Sequence, residues 1–164
     1  MSLFSRRKIL SLIALPILLG ACGFSPIYSD GSSASTLQGR MEIAAGKGRE
    51  NFEMRERLIR RFGFADNPDY TLAFTYTATS KGLAVSRTAE ITRHNLDGIS
   101  DFKITDNYGV VVFSGRVKAK TAYSATSETF PTRIAEQDAR SRLALALADQ
   151  IVTQVSATAS SWVK

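Results

Sequence analysis

The chain carries one thiol, Cys22, and one imidazole, His94. A single cysteine cannot close an internal disulfide, form a Cys-x-x-Cys redox pair or build a thiolate zinc cage. A single histidine cannot supply a multi-histidine metal site. His94, in Thr92-Arg93-His94-Asn95, is the only imidazole base, and no Gly-x-Ser-x-Gly elbow accompanies it. Nucleophilic catalysis needs a positioned constellation, so an exposed strand-end histidine is the plainer reading. Gly46-Lys47-Gly48 is too short to cradle a phosphate as a P-loop does. These residues carry no catalytic signature and exclude a cysteine or multi-histidine metal site.

What remains is cationic chemistry. Arg116, Lys118 and Lys120 alternate, so an extended strand puts all three on one face, while Val111, Phe113 and Val117 take the other parity. Arg87 and Arg93 sit in a neighbouring stretch, on the parity of Leu83, Val85, Ala89 and Ile91, and a bulge could re-aim them. Arg suits bidentate contact with phosphate, and Lys acts as a point charge. These five are candidate contacts for a phosphate-bearing ligand. A solvated, solubilising sheet face fits them as well.

The 164 residues hold 21 Lys+Arg against 15 Asp+Glu, a formal net charge of +6. Arg6, Arg7 and Lys8 supply three of those cations, and residues 1–21 contain no acid. An apolar run from Ile9 to Leu19 follows, broken only by Ser11 and Pro16, and then small residues. This is the three-part build of a secretory signal peptide over residues 1–21. The run is about half the roughly 20 residues that a membrane-spanning helix needs. Export makes nucleic acid an improbable partner, so Arg55, Arg57, Arg60 and Arg61 are expected on a solvated helix face or facing a negatively lined surface.

Leu19-Gly20-Ala21-Cys22 resembles the lipobox of bacterial lipoproteins. The resemblance implies a diacylglyceryl group on the Cys22 thiol, cleavage before it and acylation of the new amino terminus. It also explains an unpaired thiol in an exported protein. Two or three acyl chains anchor stably where one is marginal. Ser5-Arg6-Arg7-Lys8-Ile9-Leu10 also resembles a twin-arginine signal, but nothing suggests a folded cofactor protein, which favours the general secretory route. Gly23 after the cysteine, in place of Asp, implies transfer to the outer membrane by the enterobacterial sorting pattern.

Residues 22–36 read as a lipidated start and flexible tether, with SDGSSAS at its heart. Residues 37–156 read as one domain, and 157–164 as a loose tail, although Trp162 is unusual in solvent. Met41, Ile43 and Ala45 predict a short strand. Phe52, Leu58, Ile59 and Phe62 predict one apolar helix face over 50–62, with Glu53–Arg57 and Glu56–Arg60 pairs outside. Tyr70 to Thr77 alternates as a strand. Lys81-Gly82 predicts a turn, 83–93 a second strand, and Asp97-Gly98 a hairpin. Phe102 and Ile104 mark a third strand, Asp106–Gly109 a turn, and 110–120 a fourth. Leu143, Leu147, Ile151 and Val155, spaced by four, predict a helix over 133–155. The expected fold is two-layer α+β: a four-stranded, mainly antiparallel sheet plus a short N-terminal strand, with two helices packed on one face.

The lipobox, the run Cys22-Gly23-Phe24-Ser25-Pro26-Ile27-Tyr28 and this order of elements resemble the lipopolysaccharide-assembly lipoprotein LptE family in its alphaproteobacterial form. Ala135-Glu136-Gln137-Asp138-Ala139 before the aliphatic helix is similar too. The resemblance implies an outer-membrane lipoprotein that plugs and helps assemble the LptD β-barrel and takes part in placing lipopolysaccharide in the outer leaflet, with no enzymatic activity, no metal and no organic cofactor. It does not assign contact residues one by one; Arg87, Arg93, Arg116, Lys118 and Lys120 are the candidates for contact with lipopolysaccharide or the barrel interior. The alternative is an auxiliary lipoprotein of a lipid ABC transporter that binds no barrel.

Overall fold

The computed structural model describes residues 33–85 and 91–163. In chain order the elements are α1 (Ser33–Thr36), β1 (Met41–Ile43), α2 (Arg49–Phe62), β2 (Tyr70–Phe74), β3 (Thr77–Val85), β4 (Ile91–Asp106), β5 (Val111–Ser124) and α3 (Thr129–Thr158), with a closing 3-10 turn, Ala159–Ser161. The architecture is the expected α+β one: an open, mixed sheet of five strands with two long helices against it.

The strand β4 organises the sheet. On one side it pairs antiparallel with β2 at its C-terminal end and with β3 at its N-terminal end. On its other side it pairs along most of its length with β5. β1 adds to β2 in parallel, Met41 opposite Tyr70. A parallel neighbour needs a crossover, and α2 supplies it.

Two turns expected from glycine-containing pairs are absent. Lys81-Gly82 lies inside β3, and Asp97-Gly98 lies inside β4 opposite Lys120 and Ala119. Gly98 serves the packing of α3. A Cβ there would sit 2.8–2.9 Å from the Leu143 side chain. Glycine inside a strand often marks such a close approach. Gly115 is similar, with the Phe102 ring lying where its Cβ would be.

The core lies between the sheet and the helices. Leu143, Leu147, Ile151 and Val155 are all fully buried, as their spacing predicts. On α2 the buried stripe is Met54, Leu58 and Phe62. Phe52 is 59% exposed, against expectation, because it lies about 120° around the helix from Leu58. The expected Glu53–Arg57 and Glu56–Arg60 pairs do not form. Glu53 bonds Arg49 at 2.9 Å, and Glu56 lies near Arg55. Arg57 turns instead to Asp149 on α3.

The segment expected as a loose tail is packed. Ala159 and Trp162 are buried. The indole stacks on Phe113 at 6.0 Å and meets Tyr70 edge-on at 5.4 Å. At the other end of the chain, the last residues of the expected tether form α1, and Leu37 after it is fully buried.

Candidate functional site

Strand alternation divides β4 and β5 cleanly. Leu96, Ser100, Phe102 and Ile104 of β4, with Val117 and Tyr123 of β5, face the helices and are buried. The opposite parity forms a face that no helix among the described residues covers. Arg116, Lys118 and Lys120 project from it, each exposed, as the sequence pattern predicts. A bulge between the Ile104–Phe113 and Thr105–Val111 pairs changes the parity at the start of β5. Val112 and Phe113 therefore both reach the core, and Val111 is left 52% exposed rather than sharing their side.

The cations on this face are not equivalent. Arg116 stands opposite Asp101 and holds it with two bonds, Nε–Oδ1 at 2.5 Å and Nη2–Oδ2 at 3.1 Å. The donated hydrogen bond pulls the Asp101 carboxyl below its usual range and raises the guanidinium. Asp97 lies between two ammonium groups, Lys81 and Lys120, each at 3.5 Å. Lys118 stands opposite Ile99, and among the described residues no ion pair joins it. The same is true of Lys103, which lies next but one to Asp101 on the same side of β4. Arg93 is exposed on the parity of Asn95 and Asp97. Arg87 and Cys22 lie outside the described residues.

The face across β3, β4 and β5 thus gathers Lys81, Arg93, Lys103, Arg116, Lys118 and Lys120 against Asp97 and Asp101. Lys81 and Lys103 were missed in the sequence. Lys103 was legible, since it alternates with Phe102 and Ile104. Lys81 was hidden by its assignment to a turn. Between β2 and β3 the edge breaks at Thr75, whose N–H and hydroxyl both bond Asp101 backbone atoms. A shallow cavity of about 220 Å³ opens there, lined by Ala73, Phe74, Thr75, Asp101, Phe102 and Lys103. The arrangement can hold anionic oxygens on lysine and arginine nitrogens beside small apolar recesses.

His94 stacks on Tyr123 with ring centres 5.0 Å apart, and its Nδ1 lies 3.5 Å from Ser80 Oγ. Stacking fixes the ring, and among the described residues no carboxylate hydrogen-bonds it. No three His, Cys, Asp or Glu side chains gather closely enough among the described residues to hold a metal ion. No helix among them is long and apolar enough to cross a membrane.

No protein-family model matches the sequence, and no curated protein matches it. Solved structures do share its fold. A protein described as a lipoprotein from Caulobacter crescentus superposes with a TM-score of 0.63 at 20% identity, covering 78% of this chain and 96% of that one. Rare lipoprotein B from Shewanella oneidensis gives 0.59 at 14% identity, covering 74% and 96%. A minor lipoprotein from Acinetobacter baumannii gives 0.56 at 20% identity, covering 73% and 90%.

Proposed function

We propose that this chain is an outer-membrane lipoprotein, acylated at Cys22, that plugs and helps assemble an LptD-type β-barrel and takes part in inserting lipopolysaccharide into the outer leaflet. The observation that carries the reading is the shared fold with rare lipoprotein B, a protein of the LptE family. The lipobox and the Cys22–Tyr28 opening point the same way from the other end of the chain.

The geometry supports the reading in two ways. A barrel lumen is polar, and the helix-free sheet face is a wide polar surface of threonine, lysine, arginine and aspartate. Lipopolysaccharide carries phosphates and acidic sugars, and Arg93, Lys103, Arg116, Lys118 and Lys120 lie on that one face. Lys103 and Lys118 are the strongest candidates there, because Arg116 and Lys120 already share carboxylates. Arg87 remains a candidate from its sequence position.

Affinity purification of the lipidated protein from outer membranes in mild detergent tests the proposal. A stoichiometric large β-barrel is the expected companion. Recovery alone, or with inner-membrane transporter subunits, would favour an auxiliary lipoprotein that binds no barrel.

A further inference from the structure

One end of the molecule combines an exposed apolar tip with the point where the described chain begins. The turn between β4 and β5 holds Tyr108, 91% exposed, and Val110, 58% exposed, and β5 opens on Val111, 52% exposed. Phe64, 75% exposed, follows the C-terminus of α2. The two segments meet where the Asn107 amide group faces the Pro68 and Asp69 carbonyls, at 3.0 and 3.2 Å.

The tip is built to stay in place. Asp106 Oδ1 accepts the N–H groups of both Tyr108 and Val110 at 2.9 Å. Asp106 N–H donates to Val110 O and Gly109 N–H to Asp106 O, both at 3.0 Å. Gly109 takes the positive φ, 78°, that the reversal needs. With these donors satisfied inside the turn, its backbone could leave bulk water at small cost. Exposed turns are ordinarily polar, so a tyrosine and two valines at so well-bonded a turn call for a partner.

The chain's entry lies at the same end. Gly39 N–H bonds Phe62 O, at the close of α2, and Arg40 O accepts from Asp69 and Tyr70 N–H. Tyr70 in turn stands opposite Asp106. The stretch from Cys22 to Ser33 can span at most about 40 Å. An acylated Cys22 would therefore keep this end of the domain within about 40 Å of a bilayer.

We infer that Tyr108, Val110 and Val111, with Phe64 at the same end of the domain, form a bilayer-contact tip that seats in the phospholipid headgroup layer next to the lipid anchor. Tyrosine suits that depth because its ring is apolar and its hydroxyl stays wet. The inference rests on the lipid-anchor part of the proposed function and is independent of the barrel.

The test uses the full lipidated protein in vesicles of phosphatidylethanolamine and phosphatidylglycerol. Val110→Cys and, at the opposite end, Phe130→Cys each carry an environment-sensitive fluorophore. The mass of the N-terminal peptide reports Cys22 acylation separately. The expected result is that the probe at 110 shifts to the blue and is quenched by spin-labelled acyl chains, while the probe at 130 stays open to aqueous iodide. Iodide access at 110 equal to that at 130, in protein shown to be acylated, would overturn the tip. An unmodified Cys22 would overturn the anchor reading and the tip with it, and the mass alone would reveal which had failed.

Discussion

Arg57 and Asp149 lock the two long helices together. The guanidinium Nε and Nη2 meet Asp149 Oδ1 and Oδ2, each at 2.9 Å. Arg61 adds a longer contact at 3.7 Å. The pair lies at the helix boundary, half-buried, where the helices also share the Met54–Leu58–Phe62 stripe.

Asp149→Asn should therefore lower stability by roughly 0.5–1 kcal/mol, the upper range for a partly solvated pair. The hydrogen bond from Arg57 pulls the Asp149 carboxyl below its ordinary value. A carboxyl with a depressed folded pKa contributes stability that is complete above its unfolded pKa, about 3.9, and is lost as pH falls through the lower folded value. Urea unfolding of the wild type and the variant should thus differ at neutral pH and converge in strong acid.

Gly98→Ala should destabilise the domain by about 1–3 kcal/mol, because the new methyl meets Leu143. Gly98→Ala combined with Leu143→Ala should cost less than the sum of the two single changes. Chemical denaturation of the four proteins measures this coupling directly.

Removing the packed C-terminus should matter as much as a core mutation. Trp162→Ala should cost about 3–5 kcal/mol, since the indole fills the space between Tyr70 and Phe113. Thermal unfolding followed by circular dichroism checks it. A true tail would show no change.

Neutralising Lys103, Arg116 and Lys118 together should weaken lipopolysaccharide binding about tenfold, at roughly 0.5 kcal/mol for each exposed contact. Lys118→Gln should account for more of that loss than Arg116→Gln, because Arg116 is committed to Asp101. Titration of labelled lipopolysaccharide at several salt concentrations measures both. Unchanged affinity in the triple variant would remove the stripe as a binding surface.

Much of this was readable before the fold was known. The fours in Leu143–Val155 and the twos in Tyr70–Phe74 each report one buried face, so periodicity suffices there, but the alternation runs on to Thr77 and hides the break between β2 and β3 at Thr75. The Arg116–Lys120 stripe follows from the same period. Gly98 was misread because glycine in a strand looks alike whether it makes a turn or admits a helix. Only Leu143, distant in sequence, decides between them. Phe52 was misplaced because the apolar arc on α2 is wider than the stripe that α3 covers. Asp149 offered no local signal as the partner of Arg57, for the pair exists only once both helices are packed. The ion pairs at Asp97 and Asp101 depend on strand register, which the sequence leaves open across the β4–β5 pairing.

In the proposed function the helix-free sheet face meets the barrel or its lipid cargo. A photo-crosslinking residue placed at Lys118 in the lipidated protein, in living cells, reports what that face touches. The expected result is adducts with a large outer-membrane β-barrel or with lipopolysaccharide, the barrel adduct disappearing in cells depleted of the barrel. Adducts only with inner-membrane transporter subunits, or none from Lys118 in cells where the protein is correctly anchored, would contradict it.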